Sequence, residues 1–408
     1  MSRPHIITGL DIGTGSVKII SAYKKPKDSN FEVVAQIQED SLGVRRGVII
    51  DVPKISEIVL SLMGKLKESS NQTIENVYST IGGCHIFSVF SHGLVSVSRA
   101  DQKISEEDID RVLQNAQTFN LPSDKEILEI FPKEFFVDGT GGIKEAIGMQ
   151  GVRLEADVLA LCGFSPYLKN STKAILNSGL QINELIPTSL ASAKAVLTPR
   201  EKELGVCVVD IGAGTTGMSV FEEGSLIDTV IFPVGSGHIT NDIAVCLKTD
   251  IDTAEKIKLE YGSCKPTALR SKKERSEKKI LVGEGEEQLI FSPKMISEIV
   301  EARAGEIFNL VNKELKKISK QGLLPAGIVL TGGGAKMVGI RELAKKELKL
   351  PCRIGLPLNF PAIEDPSLSA TCGLIMEGCD SEEDRGEFPT LGRSFKDRLK
   401  RIFRVFIP

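Results

Sequence analysis

Gly9-Leu10-Asp11-Ile12-Gly13-Thr14-Gly15-Ser16-Val17-Lys18 and Val208-Val209-Asp210-Ile211-Gly212-Ala213-Gly214-Thr215-Thr216-Gly217 are two copies of one phrase, the first near the start of the chain and the second near its middle. Each has an apolar run, an Asp, a glycine turn carrying hydroxyls and a second apolar run, which reads as strand, hairpin, strand. Glycines with exposed N–H groups beside Thr and Ser hydroxyls form an anion cradle, and an Asp at a strand end can hold a hydrated Mg²⁺. One hairpin per half would grip a nucleotide's phosphates from opposite sides. A pair of ordinary glycine hairpins is the competing reading, and a third motif weighs against it.

That motif is Ile328-Val329-Leu330-Thr331-Gly332-Gly333-Gly334-Ala335-Lys336, followed by an amphipathic helix expected from Val338 to Leu348. A buried strand ending in glycines lets a flat ligand lie against the backbone before the helix begins. The literal match of Gly212, Gly214 and Gly217 to a dinucleotide fingerprint lacks its context, because Met218 to Phe221 continues as strand where a helix should open. Gly13 and Lys18 also have the wrong spacing for a Walker A loop. Asp11 and Asp210 are therefore expected to hold Mg²⁺ through water. Thr14, Gly15, Ser16 and the backbone of Gly212 to Thr216 would donate to phosphate oxygens. Lys18 is either a point cation for phosphate or an exposed strand lysine.

Composition sets the frame. The 408 residues allow two domains, and 41% hydrophobic with 26% charged residues excludes wholesale disorder. A net charge of −3 argues against general nucleic-acid binding. Eight cysteines without a Cys-x-x-Cys, and no second histidine at ligand spacing from His85, fit reduced thiols better than a disulfide frame or zinc site. Ile6 to Leu10 already reads as strand, so no signal peptide is expected, and no uncharged apolar run reaches the ~20 residues that span a bilayer.

A helix from Val52 to Lys67 keeps Ile55, Ile58, Val59 and Leu62 at helical spacing. The block from 82 to 162 has its own rhythm of strand, helix, strand, glycine turn and strand, and reads as an inserted α+β unit. Ser105 and Asp108 supply a capping box to its helix. The second half repeats the plan of the first, with helices at Ile239 to Cys246, Thr253 to Tyr261 and Met295 to Ile318, and a strongly charged stretch from Lys265 to Lys279. A helix is expected at Leu368 to Met376. Residues 377–392 are acidic, Gly- and Pro-punctuated and poor in apolar side chains, which reads as a solvated linker.

In the order hairpin, hairpin, Gly-Gly-Gly, the motifs resemble the phosphate-1, phosphate-2 and adenosine motifs of the actin-like ATPases. Glu255 and Lys258 correspond by position to that superfamily's ribose and adenine contacts, a solvated helix face being the alternative, and Gly235 is expected among the nucleotide-binding glycines. The inserted block narrows the likeness. Gly82-Gly83-x-His85-Ile86-x-Ser88, Gly93-x-Val95-x-Val97, Ile104-x-x-x-Asp108-Ile109-x-Arg111-Val112, Ile127-Leu128-x-x-x-Pro132-x-Glu134-x-x-Val137-Asp138 and Gly148-Met149-x-Gly151-x-Arg153-Leu154-Glu155 resemble subdomain 1C of the FtsA family, the bacterial cell-division actin homologues.

The resemblance implies an α/β, actin-like, duplicated two-domain fold around a nucleotide cleft. Its first domain (1A) takes residues 1–81 and 163–198, subdomain 1C residues 82–162, and the second domain 199–376, with 2B at about 236–322. It further implies ATP and Mg²⁺ as ligands, self-association into protofilaments, and contact with other division proteins through 1C. FtsZ would be held by its acidic C-terminal peptide at the cytoplasmic face of the membrane. Lys294 and Arg303 are the expected carboxylate partners of that peptide, unless they merely face solvent. Active members of the superfamily place a carboxylate or glutamine where this chain has Thr188 or Ser189, so weak or no hydrolysis is expected and no catalytic residue is assigned. Ala146 stands where the 1C pattern often has Pro. A pilus-assembly scaffold of the PilM type and a sugar or acetate kinase are the alternatives.

The chain's end carries an independent physical argument. A helix over 393–408 would place Phe395, Leu399, Ile402, Phe403 and Phe406 on one face, bordered by Lys396, Lys400, Arg401 and Arg404. A bulky apolar stripe edged with cations is what a helix lying in a membrane surface needs. Each basic residue near an anionic surface contributes about 1 kcal/mol. A helix docked on its own domain, or a basic tail, is the alternative.

Overall fold

The computed structural model describes residues 5–25, 28–71, 73–265, 280–282 and 289–385. Two five-stranded sheets share one strand plan. In the first, Ile7–Ile12 turns back as Ser16–Lys24 and again as Phe31–Asp40, while its other edge pairs in parallel with Asn76–Ile81, followed by Gln181–Pro187. In the second, Val206–Ile211 turns back as Thr216–Glu222 and Ser225–Phe232, and pairs in parallel with Gly327–Thr331, then Cys352–Ile354. The three central strands Ile7–Ile12, Val206–Ile211 and Gly327–Thr331 are buried at every position. Sheets covered on both faces select such continuous apolar runs. The Asp-glycine turns that close Ile7–Ile12 and Val206–Ile211, and the Gly-Gly-Gly motif that ends Gly327–Thr331, therefore fall at the C-terminal end of these strands in each sheet.

Helix Val52–Ser70 buries Ile55, Val59, Leu62 and Leu66 on the first sheet, starts on the Asp51 cap and ends at Asn71 in the left-handed region. Helix Pro293–Lys317 buries Ile296, Val300, Ile307, Phe308 and Val311 against the second. Between the two halves run helices Thr188–Val196 and Ser369–Arg385, which share an apolar core through Ala191, Ala195, Leu374 and Ile375. Their approach is close. A methyl on Gly373 would lie 1.8 Å from the Ala191 carbonyl oxygen.

The block expected as an insertion forms a separate four-stranded sheet, ordered Phe87–Ser96, Arg153–Phe164, Lys125–Val137, Thr140–Ile143, with helix Glu106–Ala116 on one face and a core of its own around Val112, Leu113, Phe135 and Leu154. The capping box is present, with the Ser105 N–H donating to Asp108 at 2.9 Å. Gly93 lets the helix sit on the sheet, since a methyl there would be 2.3 Å from the Val112 carbonyl oxygen.

Two expectations are corrected. The helix after the Gly-Gly-Gly motif starts at Ile340, because Gly333–Lys336 forms a 3₁₀ turn and Gly339 takes a φ of +79°. The stretch from 377 is not linker as far as Arg385: the helix expected to stop at Met376 continues through it. Gly378 is a packing site, where a methyl would meet Ile7 at 2.5 Å and the Tyr78 ring at 2.7 Å. Of the acids, Glu377 and Asp380 pair with Lys194 on the neighbouring helix. Residues 386–408, with the set expected to bind a membrane (Phe395, Lys396, Leu399, Lys400, Arg401, Ile402, Phe403, Arg404 and Phe406), lie outside the described residues, as does the charged stretch from 266 to 279.

Candidate functional site

The glycine turns of the two halves meet. A methyl on Gly15 would come within 2.9 Å of the Ala213 Cβ, and one on Gly214 within 2.7 Å of the Thr14 side chain. Beside this contact opens a cavity of about 390 Å³. Asp11, Gly13, Thr14, Gly15, Ser16 and Lys18 line it from the first hairpin, Asp210, Gly212 and Thr215 from the second, and Gly332, Gly333 and Gly334 from the third motif. Glu255 and Lys258 of helix Ile251–Tyr261 close one side, next to the apolar side chains of Leu259, Met337 and Val338. Three motifs more than a hundred residues apart thus share one wall because the two sheets present the same end to one another.

The two carboxylates are buried, Asp11 with a partner on each oxygen and Asp210 held through Oδ2. Thr80 donates to Asp11 Oδ1 at 2.8 Å, and Lys18 Nζ lies 3.4 Å from Asp11 Oδ2 while donating to the Ser367 carbonyl at 2.9 Å. Ser192 donates to Asp210 Oδ2. Burial pushes the Asp210 carboxyl up to about 6, with the Asp11 charge adding to the effect and the Ser192 bond and Lys18 opposing it. Two buried carboxylates facing one cavity favour a cation between them and a bound anion. Gly332, at φ +81°, brings backbone against this pair; a side chain there would strike Asp210 Oδ1 at 2.2 Å. The donor set therefore fits a hydrated divalent cation carried by a phosphate ligand.

Lys258 is buried and spans Glu255 Oε2 at 2.6 Å and Thr240 Oγ1 at 2.9 Å. Glu255 and Lys258, expected as ribose and adenine contacts, both stand in the cavity wall. Thr188 and Ser189 also line the cavity. Their hydroxyls are engaged, Thr188 donating to the Ile81 carbonyl at 3.2 Å and Ser189 lying 3.2 Å from Thr229 Oγ1.

Several expected ligand residues have other partners. Thr216 is fully buried and donates to the Val234 carbonyl at 2.8 Å, because ladder pairing with Ile211 turns its side chain into the sheet. The Gly13 and Gly212 N–H groups are spent inside their own turns, on Ser16 and Thr215 carbonyls. Gly214 serves the contact between hairpins, and Gly235 packs 2.5 Å, by a notional methyl, from the Gly212 carbonyl oxygen as the cap of helix Ser236–Leu247. Ala335 is buried behind the cavity wall. Arg303 is not a free cation: its guanidinium pairs with both oxygens of Asp242, at 2.7 and 2.8 Å, and with Glu306. Lys294, on the first turn of the same helix, has a partner of its own. Sequence reading missed Thr80, Ser192, Gln38 and Gly47, which carry no local motif. Gly47 donates to the Thr14 hydroxyl at 2.9 Å from a short hairpin, Val44–Arg45 with Val48–Ile49.

A family model described as "Cell division protein FtsA" matches residues 207–373, and one described as "SHS2 domain inserted in FTSA" matches residues 83–162. The cell division protein FtsA of Pseudomonas aeruginosa is 35% identical over 409 residues, 97% of each chain. FtsA of Escherichia coli K12 is 32% identical over 387 residues, 92% of this chain and 91% of that one. FtsA of Bacillus subtilis is 30% identical over 390 residues, covering 95% and 86%. Among solved structures, a PilM–PilN type IV pilus biogenesis complex aligns with a TM-score of 0.64 at 14% identity, covering 91% of this chain and 98% of that one. MreB5 of Spiroplasma citri bound to ADP aligns with a TM-score of 0.56 at 15% identity, covering 94% and 98%. These last two likenesses concern the fold alone.

Proposed function

Since the chain belongs to the FtsA family of cell-division proteins, an actin-like fold with an inserted SHS2 domain, we propose that it binds ATP·Mg²⁺ in its cleft, self-associates, and tethers FtsZ to the cytoplasmic face of the membrane through residues 393–408. The observation that carries the nucleotide reading is the pair of opposed Asp-glycine hairpins around one cavity. Asp11 and Asp210 would hold the hydrated Mg²⁺. Ala213, Gly214 and Thr215 would offer the remaining backbone donors of the second turn, Thr14 and Ser16 their hydroxyls, and Lys18 its charge. Bound Mg²⁺ supplies neutralisation of phosphate charge. Leu259, Met337 and Val338 leave apolar surface in the wall for a flat ring; Leu259 and Val338 are exposed as the chain stands.

Turnover is slow in this reading. The positions expected to orient an attacking water carry Thr188 and Ser189, hydroxyls with no basic group and with partners already. ATP then acts as a ligand that closes the two halves and presents surfaces for self-association. The FtsZ peptide would dock on the second domain near the start of helix Pro293–Lys317, with Lys294 as a contact; Arg303 joins only by releasing Asp242. Among the described residues no helix is long and apolar enough to cross a membrane. The reading of surface attachment rests on the tail's own pattern, an apolar stripe edged with cations.

The test is co-sedimentation with anionic vesicles, with and without ATP·Mg²⁺, comparing the full chain with one truncated after Gly392. Tail-dependent pelleting that also brings down the FtsZ C-terminal peptide is the expected result. A full chain that stays in the supernatant overturns the membrane assignment.

A further inference from the structure

The duplication is broken at one point beside the carboxylates. In the first half, strand Ile7–Ile12 runs parallel to Asn76–Ile81 with Leu10 opposite Ser79, so Thr80 stands next to Asp11 and its hydroxyl holds Asp11 Oδ1. In the second half, Asp210 stands opposite Thr331 in the matching parallel pair. By symmetry Thr331 should hold Asp210. Its hydroxyl instead bonds Ser369 Oγ at 2.7 Å and the Pro366 and Gly355 carbonyls at 3.1 and 3.2 Å, which pins the start of helix Ser369–Arg385. The oxygen of Asp210 left over is taken by Ser192, fully buried on helix Thr188–Val196, which stands between the halves.

We propose that Ser192 is a positioning residue for the cation site: it fixes one oxygen of Asp210 across the boundary between the two halves, and so turns the other toward the cleft. The inference rests on the nucleotide reading above. A carboxylate that ligates directly or through water needs its second oxygen fixed, and loss of such an outer partner costs metal affinity. Asp11 is held from within its own sheet by Thr80, so its aim does not depend on how the halves sit. Asp210 is held by a helix that packs on Ser369–Arg385 as well as on its own sheet. Its aim therefore follows the seat of that helix. Ser192 makes cation binding sensitive to the relative placement of the halves, while nucleotide binding without the cation is left to the glycine turns and to Lys18.

The full chain is titrated with a fluorescent ATP analogue in excess Mg²⁺ and again in EDTA, for wild type, Ser192→Ala and Ser192→Cys. Expected is a Ser192→Ala chain whose affinity in EDTA equals that of wild type, and whose gain in affinity from Mg²⁺ falls by about 10- to 100-fold. Should the alanine variant not fold, the cysteine variant, close in volume with a much weaker donor, is judged by the same split. A Mg²⁺ gain equal to that of wild type, or parallel losses in Mg²⁺ and EDTA, overturns the role given to Ser192. If wild type binds the analogue in neither condition, the nucleotide reading itself falls, and the role of Ser192 with it.

Discussion

Asp210 carries a charge that the fold alone would not choose. Its carboxyl is raised to about 6 by burial, with the Asp11 charge adding to this. Between the ordinary carboxylate value near 4 and about 6, the folded chain keeps a proton that the unfolded chain has lost, so this group's contribution to stability falls as pH rises through that window. At neutral pH the ionised carboxylate then costs about 2–3 kcal/mol at ~1.4 kcal/mol per tenfold. Asp210→Asn is expected to melt at a higher temperature than wild type at pH 7 without ligand, and to lose the Mg²⁺-dependent part of nucleotide binding. A lower melting point for that variant would contradict the assignment. His85 gives the opposite sign. Its Nδ1 accepts the Phe164 N–H at 3.2 Å, and burial lowers its pKa. The unfolded chain takes up the proton first, so stability drops as pH falls below ~6.5. Thermal melts of His85→Gln between pH 7 and 5 should show a shallower acid loss than those of wild type; identical slopes would remove His85 from the account.

Helices Thr188–Val196 and Ser369–Arg385 form the element on which both halves rest. They touch through Ala191 and Gly373, and are joined further along by Lys194 with Glu377 and Asp380. Gly373→Ala puts a methyl on the Ala191 carbonyl and must push the helices apart. Overpacking of this kind costs about 1–3 kcal/mol or more, and chemical denaturation should show a loss of that size. An unchanged midpoint would mean that the helices part freely. The same pair explains why 377–385 misled the sequence reading. Acid-rich, Gly-punctuated sequence reads as solvated chain when its partners are unknown, yet Gly378 fits against Ile7 and Tyr78 and two acids meet Lys194. Elements whose signal is local were legible: the Ser105–Asp108 capping box is present, and the helix expected from Val52 to Lys67 stands there, running on to Ser70.

For the whole molecule, the cavity between the halves makes ligand binding and stability one quantity. A ligand that binds the folded chain and not the unfolded one adds about 2.7 kcal/mol at a hundred times its Kd. ATP with Mg²⁺ should raise the melting point of the full chain by several degrees, and ATP in EDTA by less, in differential scanning fluorimetry. Absence of any shift at saturating nucleotide would leave the cavity without its proposed ligand.

By itself the sequence determined the duplication, the two Asp-glycine hairpins, the Gly-Gly-Gly strand end and the inserted unit, because each is written in neighbouring residues whose backbone preferences and periodicity need no distant partner. Only the tertiary structure decided which of those residues face the cleft. Ladder register turned Thr216 toward Val234, Asp242 occupied Arg303, and Thr331 went to the helix start. Thr80 reached Asp11 across 69 positions and Ser192 reached Asp210 from another element. A hydroxyl's partner is set by which strands and helices pack side by side, and that adjacency is fixed by the burial of whole apolar faces rather than by any residue near it in the chain.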